Sequence, residues 1–207
     1  VNCPSGGKPN TVSFEAKATG FVDYDLRRTA RLAQVRRGNV PLLAAKFRLS
    51  AGTFGLAKQR ATPALKLDED FAWQAEGECV GLVSVEPGLR HIRVPFWLPR
   101  QWELALHRRT QPLYLNRGYP LVLDEEVVVS LPTGGKLRVL PALQESQVAP
   151  LAWKIDWTQP DGQSVRARLH VELARAELEA AEALQLQNQL RSLLDALGKG
   201  VVVKMDR

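Results

Sequence analysis

Cysteine is scarce in this sequence: Cys3 and Cys79 are the only two in 207 residues. Two thiols cannot build a disulfide framework; they allow one bridge at most, and their spacing does not decide whether it forms. Long apolar runs are missing too. No uncharged stretch exceeds nine residues, reached at 49–57 and 127–135, well short of the roughly 18–20 that a membrane-spanning helix needs. No apolar stretch follows a basic start, so no export signal is visible. Histidine is limited to His91, His107 and His170. A zinc centre takes three or four His, Cys or carboxylate ligands at close spacing, and CxxC, HExxH and EF-hand patterns are absent. His170-Val171-Glu172 is the nearest thing to a ligand pair, and as alternate residues of a strand it reads as a solvated face. Gly134-Gly135-Lys136 ends like a phosphate loop, but Leu137 stands where Ser or Thr is required, so it reads as a hairpin turn. No cofactor and no metal site is expected.

What is present is an ordinary globular composition. Apolar residues make up 45% and charged residues 24%, which suffices for a core of one domain or two small ones. The chain begins at Val1 rather than Met, as expected of a processed product or a fragment of something longer. Residues 1–13 are rich in Gly, Pro, Ser and Asn and read as an N-terminal loop. From Gly20 the apolar residues Val22, Tyr24, Leu26, Ala30 and Leu32 alternate with charged ones, the mark of a half-buried strand. Leu26, Ala30 and Ala33 also fit a helix at 26–36.

Short strands follow at regular spacing: 41–49, 71–79 with Gly77 as a bulge, 80–85, 91–94, 127–131, 137–140 and 153–157. The clearest alternation is Val165, Ala167, Leu169, Val171 and Leu173, which follows the Asp161-Gly162 hairpin turn. Residues 175–197 hold no Gly or Pro and repeat Ala and Leu every three or four positions. They form a helix of about five to six turns, with Gly198 as its C-cap, and 201–203 read as a last strand. The fold class is therefore mainly β: antiparallel sandwich-like units with one long helix near the C-terminus. Prolines at 95, 99 and 112 suggest a division into a β-rich part at 14–105 and a second at 106–207.

The net charge of +6 belongs almost wholly to the first 105 residues, where Arg27, Arg28, Arg31, Arg36 and Arg37 crowd one stretch. Such a cluster neutralises phosphates or acidic polysaccharide, or simply keeps a strand face soluble. The five Trp residues lie in or near strands, where core packing rather than base stacking is expected, so nucleic acid is an unfavoured partner. The acidic triplets Asp68-Glu69-Asp70 and Asp124-Glu125-Glu126 lack the pattern of a calcium loop and read as solvated loops. Cys79 with His91 or His107 is the one arrangement from which a hydrolase could be built; an inert buried thiol is the default in a strand.

The second half carries a resemblance. Arg117-Gly118-Tyr119-Pro120-Leu121-Val122-Leu123 precedes Val127-Val128-Val129-Ser130-Leu131-Pro132-Thr133-Gly134-Gly135. The 137–141 strand end, the Trp153 to Trp157 strand, the long alternating strand, the helix and the last strand follow. This order, over roughly 109–203, resembles the C-terminal β-domain of bacterial transglutaminase-like proteins. In that family a papain-like core supplies Cys, His and Asp from a separate upstream domain, and no matching segments occur here. The resemblance implies a non-catalytic accessory or interaction domain that packs on the rest of its parent protein or holds a protein or cell-envelope partner. It also implies a periplasmic or envelope setting. The alternative is an anion-binding module built on the Arg cluster.

Overall fold

The computed structural model describes residues 1–3, 9–36, 41–102, 110–115 and 121–205. Among them the elements run β1 (Asn10–Ala18), α1 (Gly20–Arg36), β2 (Phe47–Leu49), β3 (Thr53–Ala61), β4 (Phe71–Val80), β5 (Val83–Glu86), β6 (Leu89–Ile92), β7 (Trp97–Pro99), β8 (Leu113–Tyr114), β9 (Leu121–Ser130), β10 (Gly135–Val139), β11 (Gln144–Ser146), β12 (Leu151–Asp161), β13 (Ser164–Leu173), β14 (Glu177–Leu178), α2 (Ala180–Gly198) and β15 (Val201–Met205). The protein is mainly β and its strand pairs are antiparallel, with α2 the long helix near the C-terminus.

The strongest alternation in the sequence makes the central strand of the larger sheet, ordered β11-β12-β13-β9. Val165, Ala167, Leu169, Val171 and Leu173 of β13 point one way and are buried, while Arg168, His170 and Glu172 between them are exposed. The buried face meets α2 and a second sheet, β10-β15-β6-β5, in one core that includes Ile155, Leu169, Leu186, Leu193, Val203 and Ile92. Each fully buried Leu or Ile there contributes about 1.5–3 kcal/mol. The helix starts later than its periodicity suggests. Glu179 and Glu182 close a capping box, and the residues just before it, Glu177–Leu178, pair with β8 instead. At the other end the helix runs through Gly198, and Lys199 is the C-cap.

This second sheet crosses the division expected near 105. β6 comes from one side of it and β15 from the other, and they pair from Ile92↔Val201 to Leu89↔Lys204. The remainder of the first half forms a three-stranded sheet, β1-β4-β3, covered by α1, and a two-stranded pair of β2 with β7. Leu26, Ala30, Phe71, Trp73 and Trp97 make its core.

Residues 22–32 are therefore helix and not strand. The period-two reading requires Tyr24 and Leu32 to be buried with Leu26, yet they are 66% and 52% exposed. The 3.6-residue period wins because Leu26 and Ala30 face the sheet with Val22 packed beside them, and Asp23 and Arg27 form an i,i+4 ion pair next to them. The N-terminal loop is shorter than expected: β1 begins at Asn10 and pairs with β4 throughout, Asn10↔Cys79 to Ala18↔Phe71. Strand β3 has no counterpart in the sequence reading. The bulge expected at Gly77 lies across from it, where Ala57 interrupts the β3 register between Leu56 and Lys58. Gly77 is needed for closeness instead. A Cβ there would lie 2.0 Å from the Gly55 carbonyl oxygen and 2.8 Å from the Phe54 ring.

Candidate functional site

The arginine cluster does not form one surface. Arg27 is buried. Its Nε donates to both Asp23 carboxylate oxygens at 2.9 Å, and its guanidinium also donates to the carbonyls of Pro63, Lys66 and Glu69. Arg28 and Arg31 are exposed on α1. Arg37 and the Arg36 side chain lie outside the described residues. An anion surface built on five arginines thus loses the one that is fully engaged inside the protein.

Both thiols are free and buried. Cys79 sits among Val12, Ala51 and Leu82, and His107 lies outside the described residues. Desolvation pushes Cys3 and Cys79 each up to about 11, the opposite of an activated nucleophile. Alkylation by iodoacetamide at pH 8 is expected to run about 100-fold slower for the native chain than for the chain in denaturant. Mass spectrometry of the quenched reaction measures this directly, and labelling of either cysteine at the unfolded rate would contradict it.

The outer face of the larger sheet carries two rows of charged residues, with Val122 and Val128 exposed beside them on β9. The register sets Lys154, His170 and Asp124 in one row across β12, β13 and β9, and Asp156, Arg168 and Glu126 in the next. His170 Nδ1 sits 2.7 Å from Asp124 Oδ1, and Arg168 Nε donates to Glu126 Oε2 at 2.8 Å. The Arg168 guanidinium holds the Glu126 carboxyl below its usual range. Glu172, the other half of the sequence pair with His170, lies opposite Val122. Among the described residues no three His, Cys, Asp or Glu gather as a metal site. The face is a ladder of neighbouring opposite charges that keeps an open sheet in water.

The triplet Asp124-Glu125-Glu126 is not a loop. It occupies the middle of β9, so strand alternation sends Asp124 and Glu126 to the charged face and Glu125 the other way, into the series Leu121, Leu123, Glu125, Val127, Val129. There its Oε2 accepts the Trp97 backbone N–H at 2.9 Å. Its Oε1 is enclosed and has no hydrogen-bond partner among the described residues, and the same holds for the Trp97 indole N–H. Desolvation raises the Glu125 carboxyl to about 8, with the Trp97 bond working weakly against it.

Glu125 and Trp97 line a cleft of about 570 Å³, within the range of ligand pockets. Its two long walls are residues 13–19, on β1 and the residue that follows it, and 121–128, on β9. Each of these strands is the outermost of its own sheet, so two open edges face each other. At one end they are already joined. Asn2 pairs antiparallel with Thr11 of β1 and parallel with Ser130 of β9. Asn2 N–H donates to the Thr11 carbonyl, and Ser130 N–H to that of Val1, both at 2.8 Å. Val1 donates to the Val128 carbonyl at 2.8 Å.

Backbone groups of a strand alternate sides. Ser13, Glu15 and Lys17 therefore continue from Thr11, and Glu126 and Asp124 from Val128, with N–H and C=O groups aimed into the cleft. The floor is apolar, from Val22, Leu26, Trp73 and the Trp97 ring, which packs edge-on against Phe14 at 5.3 Å and Trp73 at 6.1 Å.

No family model, curated protein or solved structure matches the chain.

None of the residues singled out from the sequence as a site lines this cleft. Its signal was nonetheless present: a glutamate occupying one apolar register position of a strand. Two further acids beside it hid that position by making the triplet look like a surface run.

Proposed function

We propose that the chain is a non-catalytic interaction domain that takes up one extended polypeptide strand between β1 and β9. The observation that supports this is the pair of open edges facing one cleft, with Asn2 already hydrogen-bonded between them at its closed end. Seven residues of wall, 13–19, match an extended segment of about 23 Å at roughly 3.3 Å per residue. Main-chain bonds to both edges would supply affinity, and the apolar floor would select alternate side chains. An accessory role beside a transglutaminase-like core, with its envelope setting, belongs to the same proposal and rests on the order of segments at 109–203.

The test is selection of short peptides from a displayed random library, followed by amide exchange of the complex. Bound peptides are expected to protect the amides of Ser13, Glu15, Lys17, Asp124 and Glu126. Glu15→Pro removes one donor from the cleft edge and none from the β1–β4 ladder, so it should weaken binding at least tenfold and leave the circular dichroism unchanged. Protection elsewhere, with these amides exchanging freely, would overturn the proposal.

A further inference from the structure

We propose that the cleft reads a basic side chain on the strand it accepts, an arginine guanidinium or lysine ammonium that pairs with the Glu125 carboxylate. This rests on the strand-uptake reading and names what that strand must carry.

The register fixes where the side chain enters. Five residues on from Thr11 lies Ala16, and five back from Ser130 lies Glu125. A strand continuing the Asn2 position therefore passes between Ala16 and Glu125 at the same point. Val1 and Cys3 flank the exposed Asn2 and face the interior, so the continuing strand alternates in step with them. Its inward residues meet Val127 with Phe14, then Glu125 with Ala16, then Leu123 with Ala18. Two of these three places are apolar and take an apolar side chain. The middle one holds a carboxyl.

That carboxyl lacks a counter-ion. Among the described residues no Lys, Arg or His lies within ion-pair distance of Glu125, although its neighbours Asp124 and Glu126 both have partners. One oxygen is committed to Trp97 N–H, and the other is enclosed and has no partner among the described residues. A buried carboxyl is costly unless it is paired and hydrogen-bonded, and its raised pKa reports that cost. A guanidinium or ammonium on an inward position would supply both the missing donor and the missing charge.

Three acetylated and amidated heptapeptides test this. All carry Thr at the four outward positions and Val at the first and third inward positions. The middle inward residue is Arg, its neutral isostere citrulline, or norleucine. Each is titrated into the whole chain, with amide exchange at Glu15 and Glu126 reporting seating in the cleft. The Arg peptide is expected to bind at least tenfold more tightly than the citrulline peptide. In Glu125→Gln, which keeps the acceptor for Trp97 N–H, the two should agree within about twofold. Equal affinities in the unaltered chain, with the edge amides protected, would overturn the basic-residue inference and leave strand uptake standing. A preference for Arg that survives in Glu125→Gln would overturn it as well. Absence of edge protection by all three peptides would remove strand uptake itself, and the inference with it.

Discussion

Arg27→Ala is expected to destabilise the chain by about 3–5 kcal/mol, the cost of breaking a buried ion pair by removing one partner. The side chain is only 5% exposed, so water cannot replace what is lost. Its partners are unusually many. Asp23 would keep the Phe71 N–H at 2.8 Å but lose its cation, and the carbonyls of Pro63, Lys66 and Glu69 would lose a shared donor. The guanidinium carbon also stands 5.7 Å from the Phe71 ring centroid, within cation–π range. One side chain thus ties α1 to the start of β4 and to the segment that leads into it. Arg27→Lys retains the charge but not the planar fork, and should fall between the two. Chemical denaturation gives the free energies, and amide exchange should show the 62–70 segment opening first. A loss below about 1 kcal/mol would mean that the network is decorative.

The second large effect concerns pH. The Glu125 carboxyl has an ordinary value of 4.5 and stands at about 8 in the folded protein. Between those values the unfolded chain is ionised while the folded chain keeps its proton, so folding takes up a proton and stability falls as pH rises through the window. Below about 4.5 both states are protonated, and above about 8 both are ionised, so the full penalty applies only at the alkaline end. Glu125→Gln removes the titration. The variant should match the parent near pH 4.5 and exceed it by a few kcal/mol at pH 8.5–9. The acids and the base lining the same cleft, Glu15, Asp124, Glu126 and Lys17, are common to both proteins and cancel in the difference. Parallel stability profiles from pH 4.5 to 9 would show that the carboxyl is not shielded from water.

Within the larger sheet β12 and β13 were legible because they obey a single rule. β13 alternates without exception, β12 sets Trp153, Ile155 and Trp157 on one face, and α2 repeats its Ala and Leu on the helical period. In α1 two periods coexist, and sequence alone does not say that Tyr24 and Leu32 meet solvent. Its decisive partner, the 62–70 segment that Arg27 holds, is some forty residues away. The pairing of β6 with β15 was illegible for the same reason, since no local pattern reports a contact between residues 92 and 201. Glu125 shows a third case. Strand alternation gives its direction at once, but only after β9 is extended back to Leu121, through three acids that local composition assigns to a loop.

The facing edges of β1 and β9 bear on how a strand edge can bind without polymerising. An unpaired strand edge ordinarily recruits another edge, and each added strand exposes a new one. Here a strand seated beside Asn2 would be hydrogen-bonded on both sides at once and would leave nothing open behind it. Addition would stop after one, so this pair of edges could be a docking place without becoming a template for fibres.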